Sequence, residues 1–427
     1  MSPALPSFDE AAVLIDGYAT RLGQLRPPVE RVSLDLAAGR VLAQPLRADQ
    51  DQPPFDRSTR DGYACRATEA SAHSPLQIIG ATRAGDAPAG PVPPGAAWEI
   101  MTGAPVPAGA DAVVMLEHVQ VSRGKAFETR VQLLPPRKLK PGENVVAKGA
   151  QARMGDELLA VGTAIRPAQI ALAAACGYSQ LEVFVRPRVA ILATGDELVP
   201  VETLPAPGQI RNSNAPMLAA MVAAAGGEPW VLPTVADDDE SLDRALAQAA
   251  DADLLILSGG VSAGKFDLVE PALARMGAQF HLTGVRIQPG KPLVFCELPV
   301  RNARTAKNEN GTKCFGLPGN PVSSAVTFLL FAAPVLAALA GRHKFAPRYA
   351  LARLSVDAEK QAKPGLTRFL PAFCTFSGAP GQIPEVALVS SQGSGDLAAL
   401  ARSNCFLVVP ERSSILEAGA TVRILLT

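Results

Sequence analysis

Two stretches decide the fold: Arg188-Val-Ala-Ile-Leu-Ala-Thr-Gly-Asp-Glu-Leu198 and Asp253-Leu-Leu-Ile-Leu-Ser-Gly-Gly-Val-Ser-Ala-Gly-Lys-Phe-Asp267. In each, a continuous apolar run (Val189–Ala193, Leu254–Leu257) breaks directly into a glycine loop. A strand apolar on both sides must be covered on both sides, which is the pattern of a parallel sheet sandwiched between helices. Trp230-Val-Leu232 reads as a third strand. Helical segments fall between the runs: an alanine-rich one near 214–225, and one near 240–250 with Leu242, Ala245, Leu246 and Ala249 at i, i+3, i+4 and i+7. Residues 188–340 are therefore predicted to form an α/β domain. Ligands of such sheets bind in the loops after the C-terminal strand ends, here just beyond Ala193, Val235 and Leu257.

Working outward, residues 50–149 hold twelve of the 38 prolines, which breaks any helical pattern into short strands and turns. A β insert domain is expected there. Residues 341–427 are strand-like again, with Asn404–Val409 and Thr421–Leu426 suggesting a C-terminal β barrel. Residues 1–49 and 150–187, with helices expected over Asp9–Leu25 and Pro167–Cys176, read as one discontinuous linking domain interrupted by the insert. Arg301–Lys313 is a polar run read as a mobile hairpin tip. Ala325–Ala340 is apolar but contains Pro334 and is short for a membrane span of roughly 20 residues, so a buried helix is expected.

Composition excludes several classes. The 40 Lys and Arg balance the 40 Asp and Glu, and aromatics are only 5%. No basic face for phosphate backbones and no stacking platform for bases is expected, hence no nucleic-acid partner. The six cysteines stand at least 18 positions apart and there are four histidines, so no CxxC or HExxH metal site can be drawn. Buried, reduced thiols of a cytoplasmic protein are expected. The first 25 residues carry Asp9, Glu10, Asp16 and Arg21 and read as an amphipathic helix, not a signal peptide.

Four glycine-marked loops follow strand candidates in the α/β domain: Thr194–Leu198, Ser258–Asp267, Gln288–Pro292 and Gly316–Ser324. Glycine lets backbone N–H groups approach an anion, and a following helix start adds partial positive charge. The fourth loop runs straight into the apolar helix, as a phosphate site would. Singly, each loop is equally an ordinary turn; together they point to a phosphorylated ligand. Neither a Walker A loop nor a GxGxxG fingerprint is present. Glu197, Asp238 and Asp267 accompany the loops. Carboxylates beside a phosphate call for a hard cation such as Mg²⁺, although helix capping stays open, above all for Asp238. In the insert, Asp61 and Thr102 each precede a glycine, which from physics alone is a turn signal.

DGYA (61–64), IMTGAPVP (100–107), TGDEL (194–198), SGGVSAGKFD (258–267), PGKP (289–292) and GLPGNPVSS (316–324) together resemble the molybdopterin molybdenumtransferases. That is the bacterial molybdenum cofactor biosynthesis protein A type, a family that includes the C-terminal domain of gephyrin. The resemblance implies a Mg²⁺-dependent enzyme that inserts molybdate into adenylylated molybdopterin and releases AMP. It implies a homodimer whose active site forms between subunits, and contacts with other molybdenum cofactor biosynthesis proteins. Carried over by position, Asp61, Thr102, Glu197, Asp238 and Asp267 match catalytic positions, the last three as metal ligands. Ser213, Asn214, Ser258, Gly259, Gly260, Ser262, Gly264, Pro289, Gly290, Lys291, Pro318, Gly319, Asn320, Ser323 and Ser394 match the cofactor pocket.

The basic residues depart from the family. Gly284, Gln288 and Pro371 stand where the family carries two lysines and an arginine expected to hold molybdate. Arg286 and Arg368, with Lys291, are the expected substitutes, because an oxyanion desolvated without a cation is costly. The same departures leave an alternative: a scaffold or diverged paralogue that binds molybdopterin without inserting metal. A third reading, a nucleotide-handling enzyme on the same α/β unit, leaves the insert and the barrel unexplained.

Overall fold

The two apolar runs form strands, and the two faces of each strand feed different cores. Val189, Ile191, Leu254, Ile256, Phe315 and Leu317 enter one core, while Ala190, Leu192, Leu255, Leu257, Val294 and Cys314 enter the other. This period of two is what a doubly covered strand requires. The coordinates are a computed structural model that describes residues 5–87, 90–123, 128–260, 268–299, 311–342, 346–356, 365–376, 383–411 and 416–427. The expected tip at 301–313 falls mostly outside them.

The sheet comprises β1 (Arg188–Ala193), β2 (Glu228–Val231), β3 (Leu254–Ser258), β4 (Gln279–Thr283), β5 (Val294–Glu297) and β6 (Lys313–Leu317), in the order β2-β1-β3-β6-β5-β4. β2, β1, β3 and β6 are parallel. β5 runs antiparallel to both β6 and β4, so the sheet is mixed at one edge. α2 (Asn214–Ala225) and α3 (Asp239–Ala249) connect its first three strands. The apolar helix α4 (Pro321–Leu339) is 83% buried inside this unit, as expected of a core helix. It widens into a π turn at Phe328–Ala332, directly before Pro334, whose missing N–H and bulky ring disturb the regular ladder.

α1 (Phe8–Gly23) begins with a capping box: Ser7 Oγ accepts from Glu10 N at 3.2 Å and Glu10 Oε2 accepts from Ser7 N at 2.7 Å. Its apolar face (Phe8, Ile15, Tyr18, Leu22) joins the core of the α/β sheet, with Phe8 edge-on to Phe331 and Phe369. At its far end Tyr18 Oη donates to Glu297 Oε2 at 2.8 Å, and the same carboxylate takes Lys313, which is 1% exposed. Burial alone would raise the Glu297 carboxyl, yet Lys313 holds it below its usual range. Burial also lowers His281, whose ring lies tilted against Tyr18 and Phe295.

The C-terminal strands β7 (Tyr349–Leu354), β8 (Thr367–Thr375), β9 (Glu385–Leu388), β10 (Cys405–Val409) and β11 (Thr421–Leu426) close on themselves in the order β8-β9-β7-β11-β10-β8. Closure leaves no unpaired edge. Ile287–Gln288 adds a short parallel strand beside β8. A second compact unit, Gln44–Val161 with Pro167–Gln180, contains a six-stranded sheet. Its strands run Ala112–Met115, Gly62–Cys65, Ala96–Ile100, Leu76–Thr82, Thr129–Leu133 and Val119–Arg123 in spatial order. All six cysteines are free and buried.

Two predictions follow from the Tyr18 cluster. Tyr18→Phe leaves the Glu297 carboxylate with one partner fewer and should destabilise the fold by about 1–3 kcal/mol in urea titration. His281 binds its proton less readily folded than unfolded. Its contribution is therefore intact above the ordinary imidazole pKa of about 6.5 and is lost as pH falls through its lower folded value. His281→Phe should flatten the fall in melting temperature between pH 7 and pH 5 relative to the parent protein.

Candidate functional site

The site is built where β1, β3 and β6 end together. Thr194 N donates to Ser258 O and Gly259 N to Leu317 O, both at 3.1 Å, so the three strand ends lock side by side. Gly259 has φ +99, and a Cβ there would stand 2.6 Å from Thr194 O. Only glycine fits, for packing reasons that precede any ligand.

Asn214 opens α2 and reaches across these ends. Its Nδ2 donates to Ser258 Oγ at 2.9 Å and to Gly319 O at 2.6 Å. A carbonyl only accepts, so the NH₂ group must face Gly319 and the orientation of the amide is settled. Asn214 Oδ1 then points the other way; it and Thr194 Oγ1 are both buried and meet no hydrogen-bond partner among the described residues. Each orphan costs about 1–3 kcal/mol, and a ligand that meets it recovers that cost. Ser213 beside Asn214 is half-buried and makes no cap bond.

An acidic corner adjoins. Asp237 N donates to Asp196 Oδ1 at 3.0 Å. Burial raises the Asp237 carboxyl, and the charges of Asp196 and Glu197 raise it further. Asp238 behaves differently: its Oδ1 accepts from Ser241 N at 2.8 Å, capping α3, and that bond lowers its pKa. Capping thus accounts for one Asp238 oxygen. Asp196 and Asp237, the sequence neighbours of the expected Glu197 and Asp238, also belong to this corner, and only the fold brings them together. Among the described residues no three His, Cys, Asp or Glu side chains are placed to hold a metal by themselves. Ser262, Gly264 and Asp267 lie outside the described residues.

At the fourth loop, the start of α4 is already occupied. Val322 N donates to Ser394 O at 3.0 Å and Ser324 N to Asn320 O at 2.9 Å, while Asn320 Nδ2 meets Ser394 Oγ at 3.0 Å. Pro321 has no N–H to offer. One N–H of the helix start expected to face a phosphate, that of Val322, is thus taken by a loop of the C-terminal barrel. The structure does bring Ser394 and Asn320 together. Pro318 and Ser323 are buried beneath this loop, Gly319 is exposed, and Ser258 and Gly260 complete the facing turn.

Pro289 and Gly290 are covered and Lys291 is exposed. Arg286 Nη1 pairs with Glu411 Oε1 at 2.9 Å, and Arg368, 7% exposed, stands opposite Gln288 in register. Gly284 has φ +128, and its Cβ would meet Leu5 Cδ2 at 2.9 Å, so a lysine is disfavoured at that position. In the second unit, Asp61 Oδ1 accepts from Thr102 N at 2.6 Å and from Thr102 Oγ1 at 2.7 Å. These bonds hold the exposed Asp61 below the usual carboxylate range. The two residues, 41 positions apart, form one pair.

Comparisons with known proteins agree across the chain. Residues 7–177 match the family described as MoeA N-terminal region (domain I and II), 190–338 the probable molybdopterin binding domain, and 353–427 the MoeA C-terminal region (domain IV). The molybdopterin molybdenumtransferase of Nostoc sp. is 35% identical, covering 99% of this chain and 94% of that protein. That of Bacillus subtilis is 34% identical, covering 94% and 91%. The crystal structure of the molybdopterin biosynthesis moeA protein from Pyrococcus horikoshii OT3 superposes with a TM-score of 0.76 at 29% identity, covering 99% of this chain and 100% of that one. The chain belongs to the molybdopterin molybdenumtransferase family.

Proposed function

We propose that this protein inserts molybdenum from molybdate into molybdopterin, taking the pterin in adenylylated form and releasing AMP. We further propose that it uses Mg²⁺ and works as a homodimer in the cytoplasm. The observation that carries the reading is the locked Asn214 amide. Its orphaned Oδ1 accepts an N–H, which a pterin has and a phosphate lacks, while the adjoining glycine turn suits the phosphate. Two different ends of one ligand thus find counterparts at one set of strand ends.

The acidic corner fits a divalent cation, because Asp196, Glu197 and Asp237 repel one another and raise the Asp237 carboxyl. Mg²⁺ typically takes one or two carboxylates and completes its shell with substrate phosphates and water. Glu197, with Asp237 or Asp238, would hold it, and Asp267 closes the Ser258–Asp267 loop in sequence. When bound, Mg²⁺ neutralises phosphate charge and makes the anhydride a better electrophile. The chain's own residues do the rest. Asn214 orients the pterin and the Ser258–Gly260 turn seats its phosphate. Asn320 and Ser394 close the helix start. Asp61, kept ionised by Thr102, would serve the reaction from the other subunit of the proposed homodimer.

Incubation with adenylylated molybdopterin, Mg²⁺ and molybdate tests this. AMP that appears only when molybdate is present, together with molybdenum in the pterin product, is the expected result. Molybdopterin binding without AMP release would support the scaffold reading. One observation favours that alternative: Arg286, an expected substitute for the family's cations, is already paired with Glu411.

Asp61→Asn should keep the fold and lower turnover at least about 100-fold. Asp238→Asn should slow AMP release, and normal release would remove Asp238 from the reaction. Arg286→Ala and Arg368→Ala should each weaken molybdate binding about tenfold in equilibrium titration, the loss of one charge-assisted bond. Unchanged affinity in both would dismiss them as substitutes for the family's lysines.

A further inference from the structure

The geometry points to Thr194 as a positioning residue of this site, whose hydroxyl gains its hydrogen bond only when ligand is bound; this rests on the molybdopterin reading above. Thr194 stands at the end of β1. Its N–H donates to Ser258 O at 3.1 Å, and it bridges Val235, so its backbone is fixed on two sides. The residue is 6% exposed. Its Oγ1 lies behind the Ser258–Gly260 turn, 3.2 Å from where a Cβ on Gly259 would stand and 3.0 Å from where one on Gly260 would stand. Among the described residues no donor or acceptor meets it there.

A valine would fill the same volume without burying an orphan group, so in the free protein the hydroxyl contributes nothing to stability. The turn beside it is unusual in one respect: Gly259 and Gly260 both hold positive φ, +99 and +66. Successive glycines let the intervening peptide groups rotate at small cost. When an anion seats on this turn, the Gly260 N–H rotates toward the anion and the Gly259 carbonyl of the same peptide swings back toward β1, while the Gly259 N–H keeps its bond to Leu317 O. The Thr194 hydroxyl donates to that carbonyl and holds the turn in its anion-binding orientation. Asn214 Oδ1, the other orphan at this turn, is met by the ligand itself, so both unpaired groups are satisfied in one step.

The test uses the full chain with Thr194→Val and Thr194→Ser, following pterin fluorescence on titration with molybdopterin and thermal unfolding without ligand. Thr194→Val should unfold at the same or a higher temperature than the parent yet bind about tenfold more weakly, equivalent to 1.4 kcal/mol. Thr194→Ser should stay within about twofold of the parent in binding, because the hydroxyl is retained. The proposal is overturned if Thr194→Val binds as the parent does. It is also overturned if Thr194→Val melts earlier without ligand, since the hydroxyl is then bonded already, or if serine fails to restore binding. Should the parent itself not bind molybdopterin, the functional reading falls instead. Inorganic phosphate then serves as the probe: weaker phosphate binding by Thr194→Val sustains the positioning role, and equal binding ends it.

Discussion

The rest of the α/β unit depends on the two-sided burial of β1 and β3. Val189, Ile191, Leu254 and Ile256 face one core while Ala190, Leu192, Leu255 and Leu257 face the other, all of them inaccessible to solvent. Strands covered in this way have no side chain to spare for chemistry along their length. Polar function is forced to their ends, where the backbone leaves the sheet and Thr194, Ser258 and Gly319 meet. The same burial brings β1 and β3 together so tightly that Thr194 O excludes any side chain at Gly259.

That packing explains why the site is polar yet incompletely bonded. Asn214 spends both amide hydrogens on Ser258 and Gly319, which joins α2 to the ends of β3 and β6. Its carbonyl oxygen is left without a partner among the described residues as a direct consequence. The acids show the same economy. Asp238 is committed to the start of α3, whereas Asp237 is drawn against Asp196 and Glu197, where like charges leave room for a cation. A fold optimised for stability alone would have satisfied or removed these groups, which is why the proposed site is drawn around them.

Much of this was legible before any coordinates. The unbroken apolar runs declared buried strands, Leu242–Ala249 declared an amphipathic helix, and Pro334 argued against a membrane span in favour of the buried α4. The glycine loops announced where to look. Less legible were the antiparallel β5, which continues the apolar pattern and so looks like its neighbours, and the packing of α1 on the α/β core, a contact between distant segments. Asp237 and Asp238 are adjacent and chemically identical, and composition offers no way to tell that one caps and the other joins the acidic corner. Nor does it show that Ser394 O closes the helix start where a phosphate was expected, or that Gly284 is held at φ +128 against Leu5.

The amino-acid sequence by itself determined the layers and the family, because those follow from local periodicity and from motifs read in order. Only the tertiary structure decided which polar groups are already spent and which remain free. Hydrogen bonds such as Asn214 to Gly319 and Thr102 to Asp61 join residues 105 and 41 positions apart. Whether a given oxygen is satisfied depends on what the whole fold brings within 3 Å or so of it, and no stretch of sequence contains that information.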